Sequence, residues 1–212
     1  MPLQNRVTPL GEIVADPARG LFMGNRGILH DQNRQLGAGR WRHPNWIICS
    51  LDYRPVPRPL MAEGAYTELF FLDEATALAA GHRPRALCRL AAFRRFAAAW
   101  GTAEGQDAPP SAKRIDAALH AARLTRDRRQ QTHLASLPHL PDGAIVAIYG
   151  APWLVRAGWR HRWTLAGYRE AEPLDGREVA VLTPAPTVAA LRAGYAPVLH
   201  PSLGVCPERP AR

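Results

Sequence analysis

The sequence predicts an α+β fold: a β-rich N-terminal part, central helices, then C-terminal antiparallel strands and a last short helix. Three observations predict it. Residues 1–60 hold short apolar groups between Pro, Gly, Asn and Arg; residues 85–131 carry apolar side chains at helical spacing; and alternation with glycine turns returns from Pro141 onward. The change of pattern divides the chain into 1–135, strands plus central helices, and 136–212, a small antiparallel lobe with a terminal helix. The two read equally as one continuous domain.

Gly11-Glu12-Ile13-Val14 and residues 46–53 read as strands, because β-branched and apolar residues lie there between breakers. Residues 20–27 read as a turn-rich segment whose glycines permit positive φ. Pro55, Pro57 and Pro59 interrupt the chain before a strand at 66–72. Asp73 is a good N-cap for a helix through Ala80, and Gly81 is its stop. Pro84 suits the first turn of a second helix reaching about Trp100, on which Leu87, Leu90, Phe93, Phe96 and Trp100 recur at helical spacing. Ser111 caps a third helix over about 112–131, where Arg123, Arg126, Arg128 and Arg129 would complement the C-terminal dipole. Strands follow at 144–149, 153–155, 159–168 and 178–182, and Thr183-Pro184 caps a last helix ending at Gly194.

The 212 residues include 27 bases against 18 acids, a formal charge of +9, and Lys113 is the lone lysine. Codon bias explains arginine over lysine, but not the excess of bases. A guanidinium fork matches phosphate bidentately, so nucleic acid or another phosphate-rich molecule is the expected partner. An apolar fraction of 47% can bury a real core. No apolar run nears the ~20 residues of a membrane helix, and no membrane partner is expected. Residues 1–6 lack a hydrophobic signal core. Cys49, Cys88 and Cys206 lie far apart and odd in number, which points to reduced thiols in a cytoplasmic protein. The oligomeric state is not legible.

The stretch from Thr67 to Arg89 runs strand, capped helix, Gly81-His82-Arg83-Pro84, then a thiol at Cys88. It resembles the second half of the Ada-type zinc-binding domain of methylphosphotriester repair proteins, in degenerate form. In that family Gly, an aromatic, Arg and Pro precede Cys-x-x-Cys, and two earlier cysteines complete a four-thiolate zinc site. Here Gly81, Arg83, Pro84 and Cys88 match, while Arg85 stands at the first cysteine, His82 replaces the aromatic, and no Cys-x3-Cys pair occurs upstream. The whole chain also resembles a group of uncharacterised bacterial proteins with the complete His-Arg-Pro-Cys-x-x-Cys-Arg pattern, which implies no activity. A zinc set of Cys88 and Cys49 with His82 or His30 would need distant segments to converge. Arg85 beside it would oppose cation binding and lower the thiol pKa. A buried structural thiol without any cofactor is the favoured alternative.

Other constellations carry chemistry too. Asp116, His120 and Arg123 share one face of the third helix, the minimum for general-base catalysis on an anionic substrate. A solvated helix pair is the plainer account of them. Gly24-Asn25-Arg26-Gly27 could cradle a phosphate or be an ordinary turn. Arginine and tryptophan interleave at Arg40-Trp41-Arg42 through Trp46 and again at Trp159-Arg160-His161-Arg162-Trp163, as base-stacking surfaces do and as half-buried strands also do. The expected function is nucleic-acid binding, DNA included, through Arg26, Arg40, Trp41, Arg42, Arg83, Arg85, Arg89, Arg160 and Arg162. The alternatives are an enzyme using Asp116, His120 and Arg123, or an interaction protein with an acidic partner.

Overall fold

A computed structural model describes residues 1–53 and 59–204. Pro55, Pro57 and Cys206 lie outside the described residues. The α+β expectation holds: the described residues form two six-stranded sheets and four α-helices.

The first sheet contains β1 (Gln4–Val7), β2 (Ile13–Ala15), β3 (Phe22–Asn25), β4 (Ile47–Cys49), β5 (Leu69–Phe71) and β6 (Arg83–Pro84), in the order β2-β1-β5-β3-β4-β6. It is mixed, with β1–β5 and β4–β6 parallel. The second holds β7 (His133–Ser136), β8 (Ile145–Ile148), β9 (Ala151–Arg156), β10 (Trp159–Thr164), β11 (Gly167–Pro173) and β12 (Glu178–Val181), in the order β11-β10-β9-β8-β12-β7, antiparallel throughout. The helices are α1 (Glu74–Ala79), α2 (Leu90–Ala103), α3 (Ala112–Arg123) and α4 (Ala185–Arg192), of which α1 touches both sheets, through β5 and β8. One apolar core runs from Val7, Ile48 and Phe71 through Phe96, Trp100 and Leu119 to Val146 and Val181, so it crosses the 135/136 division. Among the described residues, no helix is long and apolar enough to cross a membrane.

Helix α1 is the hub, and every one of its residues is buried. Asp73 caps it as its side chain accepts from Thr76 N at 2.9 Å. The same carboxylate also takes the Thr76 hydroxyl at 2.7 Å, Tyr168 OH at 2.8 Å and His200 N at 3.1 Å. Glu74 accepts from Arg89 at 2.8 Å, Tyr195 OH at 2.6 Å and Val198 N at 2.9 Å. Trp163 Nε1 donates to Thr76 Oγ1 at 2.9 Å. Two buried carboxylates, accepting four and three hydrogen bonds, thus bind α1 to the second sheet and to the chain after α4.

Three elements depart from the sequence-based expectation. Residues 22–25 form a central strand, and Gly24 is there for close approach: a Cβ would sit 2.1 Å from Ile47 O. Arg83–Pro84 is extended, because Arg83 N and Arg85 N bond Trp46 O and Ile48 O across the sheet, and α2 starts only at Leu90. Proline is tolerated at this edge, where its missing N–H breaks no ladder. Helix α3 stops at Arg123, with Leu124 extended and bridged to Gln130, so Arg126, Arg128 and Arg129 lie on a loop beyond the helix dipole.

Candidate functional site

Several of the arginines singled out above are spent on structure. Arg83 grips Asp116 in a buried fork, Nε to Oδ1 at 2.8 Å and Nη2 to Oδ2 at 2.7 Å. Arg89 serves Glu74, and Arg160 lies buried between Glu172 at 3.0 Å and Asp175 at 2.8 Å. Arg162 pairs with Glu170 at 3.2 Å. The β10 strand therefore presents no uncompensated cationic face. The Asp116–His120 pairing is likewise not formed, since both oxygens of Asp116 face Arg83. His120 Nδ1 instead lies 3.0 Å from Arg123 Nη2. Burial and the Arg123 charge lower its pKa.

The metal candidates separate too. Cys88 stands beside Cys49, with Arg85 Nη1 4.0 Å from Cys49 Sγ. Burial, then Cys88, pushes the Cys49 thiol up to about 12, outweighing the Arg85 charge that was expected to lower it. His82 points elsewhere, packed on Phe71 and Trp46 with ring centroids at 4.7 and 5.3 Å. His30 Nδ1 lies 2.6 Å from Thr67 Oγ1. Among the described residues no group of three or more His, Cys, Asp or Glu gathers as a metal site would.

What does converge is a different set. Arg26, at the end of β3, and Arg123, at the end of α3, are 1% and 2% exposed, yet no carboxylate contacts either among the described residues. Their partners are neutral. Arg26 Nε donates to His82 Nε2 at 3.2 Å and Nη1 to Gly11 O at 3.3 Å. Arg123 donates to Gly81 O at 2.9 Å and to Pro44 O at 2.6 Å. Both guanidiniums stack over the Trp46 ring, at 4.0 and 3.8 Å from its centroid. Gly81 makes room: at φ +81° it has no Cβ, which would stand 2.6 Å from Arg123 Cδ.

A buried cation without a counter-ion is costly. Burial and then the charge of Arg123 lower Arg26 to about 9, and burial does the same to Arg123. Both remain cationic at neutral pH. Among the described residues, Arg26 Nη2 and Arg123 Nε have no acceptor, and Gln130 Oε1 has no donor. Gln130 is fixed by Nε2, which reaches Pro9 O, Ala79 O and Leu182 O at 2.9 to 3.0 Å.

These three side chains line one cavity of about 320 Å³, together with Trp46 and half-buried Trp41. Arg40, Arg128 and Arg129 complete its cationic wall, and Glu12 is the one acid in the lining. Trp41 stands edge-on to His120 at 4.8 Å. Thus Arg26, Arg40 and Trp41 meet, joined by Arg123 from the other constellation, while Arg42 turns to Ile28 O at 3.1 Å. Trp46 belongs to the interleaved arginine–tryptophan segment singled out above, whereas Arg128, Arg129 and Gln130 have no place among the site residues expected from the sequence. A run of arginines too long for one helix terminus was the available signal. Five arginines thus face one acid around a concave space, which concentrates positive potential there. No protein-family model, no curated protein and no solved structure matches this chain.

Proposed function

We propose that this protein binds nucleic acid by seating a phosphate in the arginine-lined cavity. The observation that carries the reading is the pair Arg26 and Arg123: two buried guanidiniums that line the cavity and, among the described residues, touch no carboxylate, the Asp116 charge acting on Arg123 without a contact. Folding tolerates such a pair at a cost, and a bound phosphate would remove it. The rim arginines Arg40, Arg128 and Arg129 extend the positive field outward, and Trp41 supplies an aromatic surface of the kind on which bases stack.

Fluorescence anisotropy with labelled single-stranded DNA, duplex DNA and RNA at about 50 mM salt tests it. Binding should weaken as salt rises, with a log–log slope of roughly −2 to −3.5 for three to five neutralised phosphates on a single strand. Arg26→Met and a double change of Arg128 and Arg129 to Ala should each weaken it at least tenfold. No binding to any of the three nucleic acids, or binding indifferent to Arg26→Met, would rule the reading out.

A further inference from the structure

We propose that the cavity recognises a terminal nucleotide carrying a phosphate monoester, at the end of a single strand or free, rather than an internal phosphodiester. The inference rests on the nucleic-acid reading and narrows it. Charge is the first argument. An internal diester brings one negative charge, whereas a monoester brings about −1.5 to −2 near neutral pH with three acceptor oxygens. Two buried guanidiniums that touch no carboxylate among the described residues, with three more arginines in the lining, favour the second ligand over the first.

Size is the second argument. A space of about 320 Å³ lies at the small end of ligand-binding cavities and accommodates one nucleotide. A strand passing through would have to enter and leave it.

The third argument is the unsatisfied acceptor. Gln130 Oε1 is buried without a donor, beside Gly11, whose position would bring a Cβ to 3.5 Å. Phosphate oxygens of a dianion only accept, so they leave that atom unpaired. A sugar hydroxyl or an exocyclic base amine would satisfy it. The ligand thus needs an anionic end and a donor a short distance away, with a flat group for Trp41, and a nucleotide carries all three.

The test uses three labelled single-stranded 12-mers of one sequence: 5′-phosphorylated, 3′-phosphorylated, and hydroxyl at both ends. They are titrated against the full chain and against Arg26→Met. One phosphorylated end should bind at least tenfold more tightly than the hydroxyl strand, and Arg26→Met should abolish that preference. A free nucleoside monophosphate should displace the preferred strand at concentrations where inorganic phosphate does not. Should Arg26→Met fail to fold, the three strands on the unaltered protein decide the matter. Equal affinity for all three strands, lost in Arg26→Met, would overturn end recognition and leave the phosphate-seating reading intact. Equal displacement by inorganic phosphate would overturn the nucleotide. Absence of binding to every strand would overturn both readings.

Discussion

Replacing Arg26 by methionine should cost the fold almost nothing while removing the proposed phosphate seat. Arg26 is fully buried, and its acidity rises from the usual arginine range to about 9 through burial and the neighbouring Arg123 charge. At ~1.4 kcal/mol per tenfold, keeping it charged costs on the order of 5 kcal/mol. Its stacking on Trp46 returns roughly 2 kcal/mol. The long bonds to His82 and Gly11 return about 1 kcal/mol each. The terms nearly cancel, so Arg26→Met should lie within about 1 kcal/mol of the parent. Arg83→Met is the control, because it strands the Asp116 carboxylate in the interior and should lose about 3–5 kcal/mol. Urea unfolding followed by tryptophan fluorescence measures both. The pH dependence has a definite sign. Between about pH 9 and the usual arginine range, the unfolded chain holds protons that the folded chain has released. Wild-type stability should therefore gain on that of Arg26→Met above pH 9, with a constant difference from pH 6 to 8. A loss of more than about 3 kcal/mol in Arg26→Met, comparable with Arg83→Met, would refute the reasoning and make Arg26 a structural member.

Affinity for a phosphorylated oligonucleotide should be flat from pH 7 to 8.5. It should then fall by up to tenfold per pH unit for each guanidinium that deprotonates above about 9, as read by anisotropy. Gly81→Ala should lose about 1–2 kcal/mol from its φ of +81° and also displace Arg123, weakening oligonucleotide binding at least tenfold. Asp73→Ala should lose about 3–5 kcal/mol in urea, because Tyr168 OH and His200 N lose a buried acceptor; a loss under 1 kcal/mol would contradict the role given to α1. At pH 8, Cys49 should resist iodoacetamide far longer than Cys88 in the native protein, scored by peptide mass, because its thiol stays protonated up to about 12.

Local chemistry was legible in the sequence; distant chemistry was not. The cap at Asp73, the stop at Gly81 and the strands around Gly150 follow from side chains within a few positions of one another, and they stand where expected. Pro84 and Gly24 misled because their surroundings come from Ile48 and Ile47, across the sheet. The end of α3 misled because the bridge from Leu124 to Gln130 competes with one more helical turn. The site shows the same division. Arg26, Arg40, Trp41 and Arg123 all stood out as residues, in three separate groupings. Which arginines would be neutralised, as Arg160 is by Glu172 and Asp175, depends on strand pairing, which composition does not encode.

The Gln130 side-chain amide reaches main-chain oxygens 121, 51 and 52 positions away in the sequence. Contacts of such span close late during folding, once their loop entropy has been met by shorter-range structure. A cavity wall held by them cannot form in a fragment that lacks Pro9 or Leu182. The proposed ligand would therefore be taken up only after these segments have met, and its presence during refolding would favour the folded molecule.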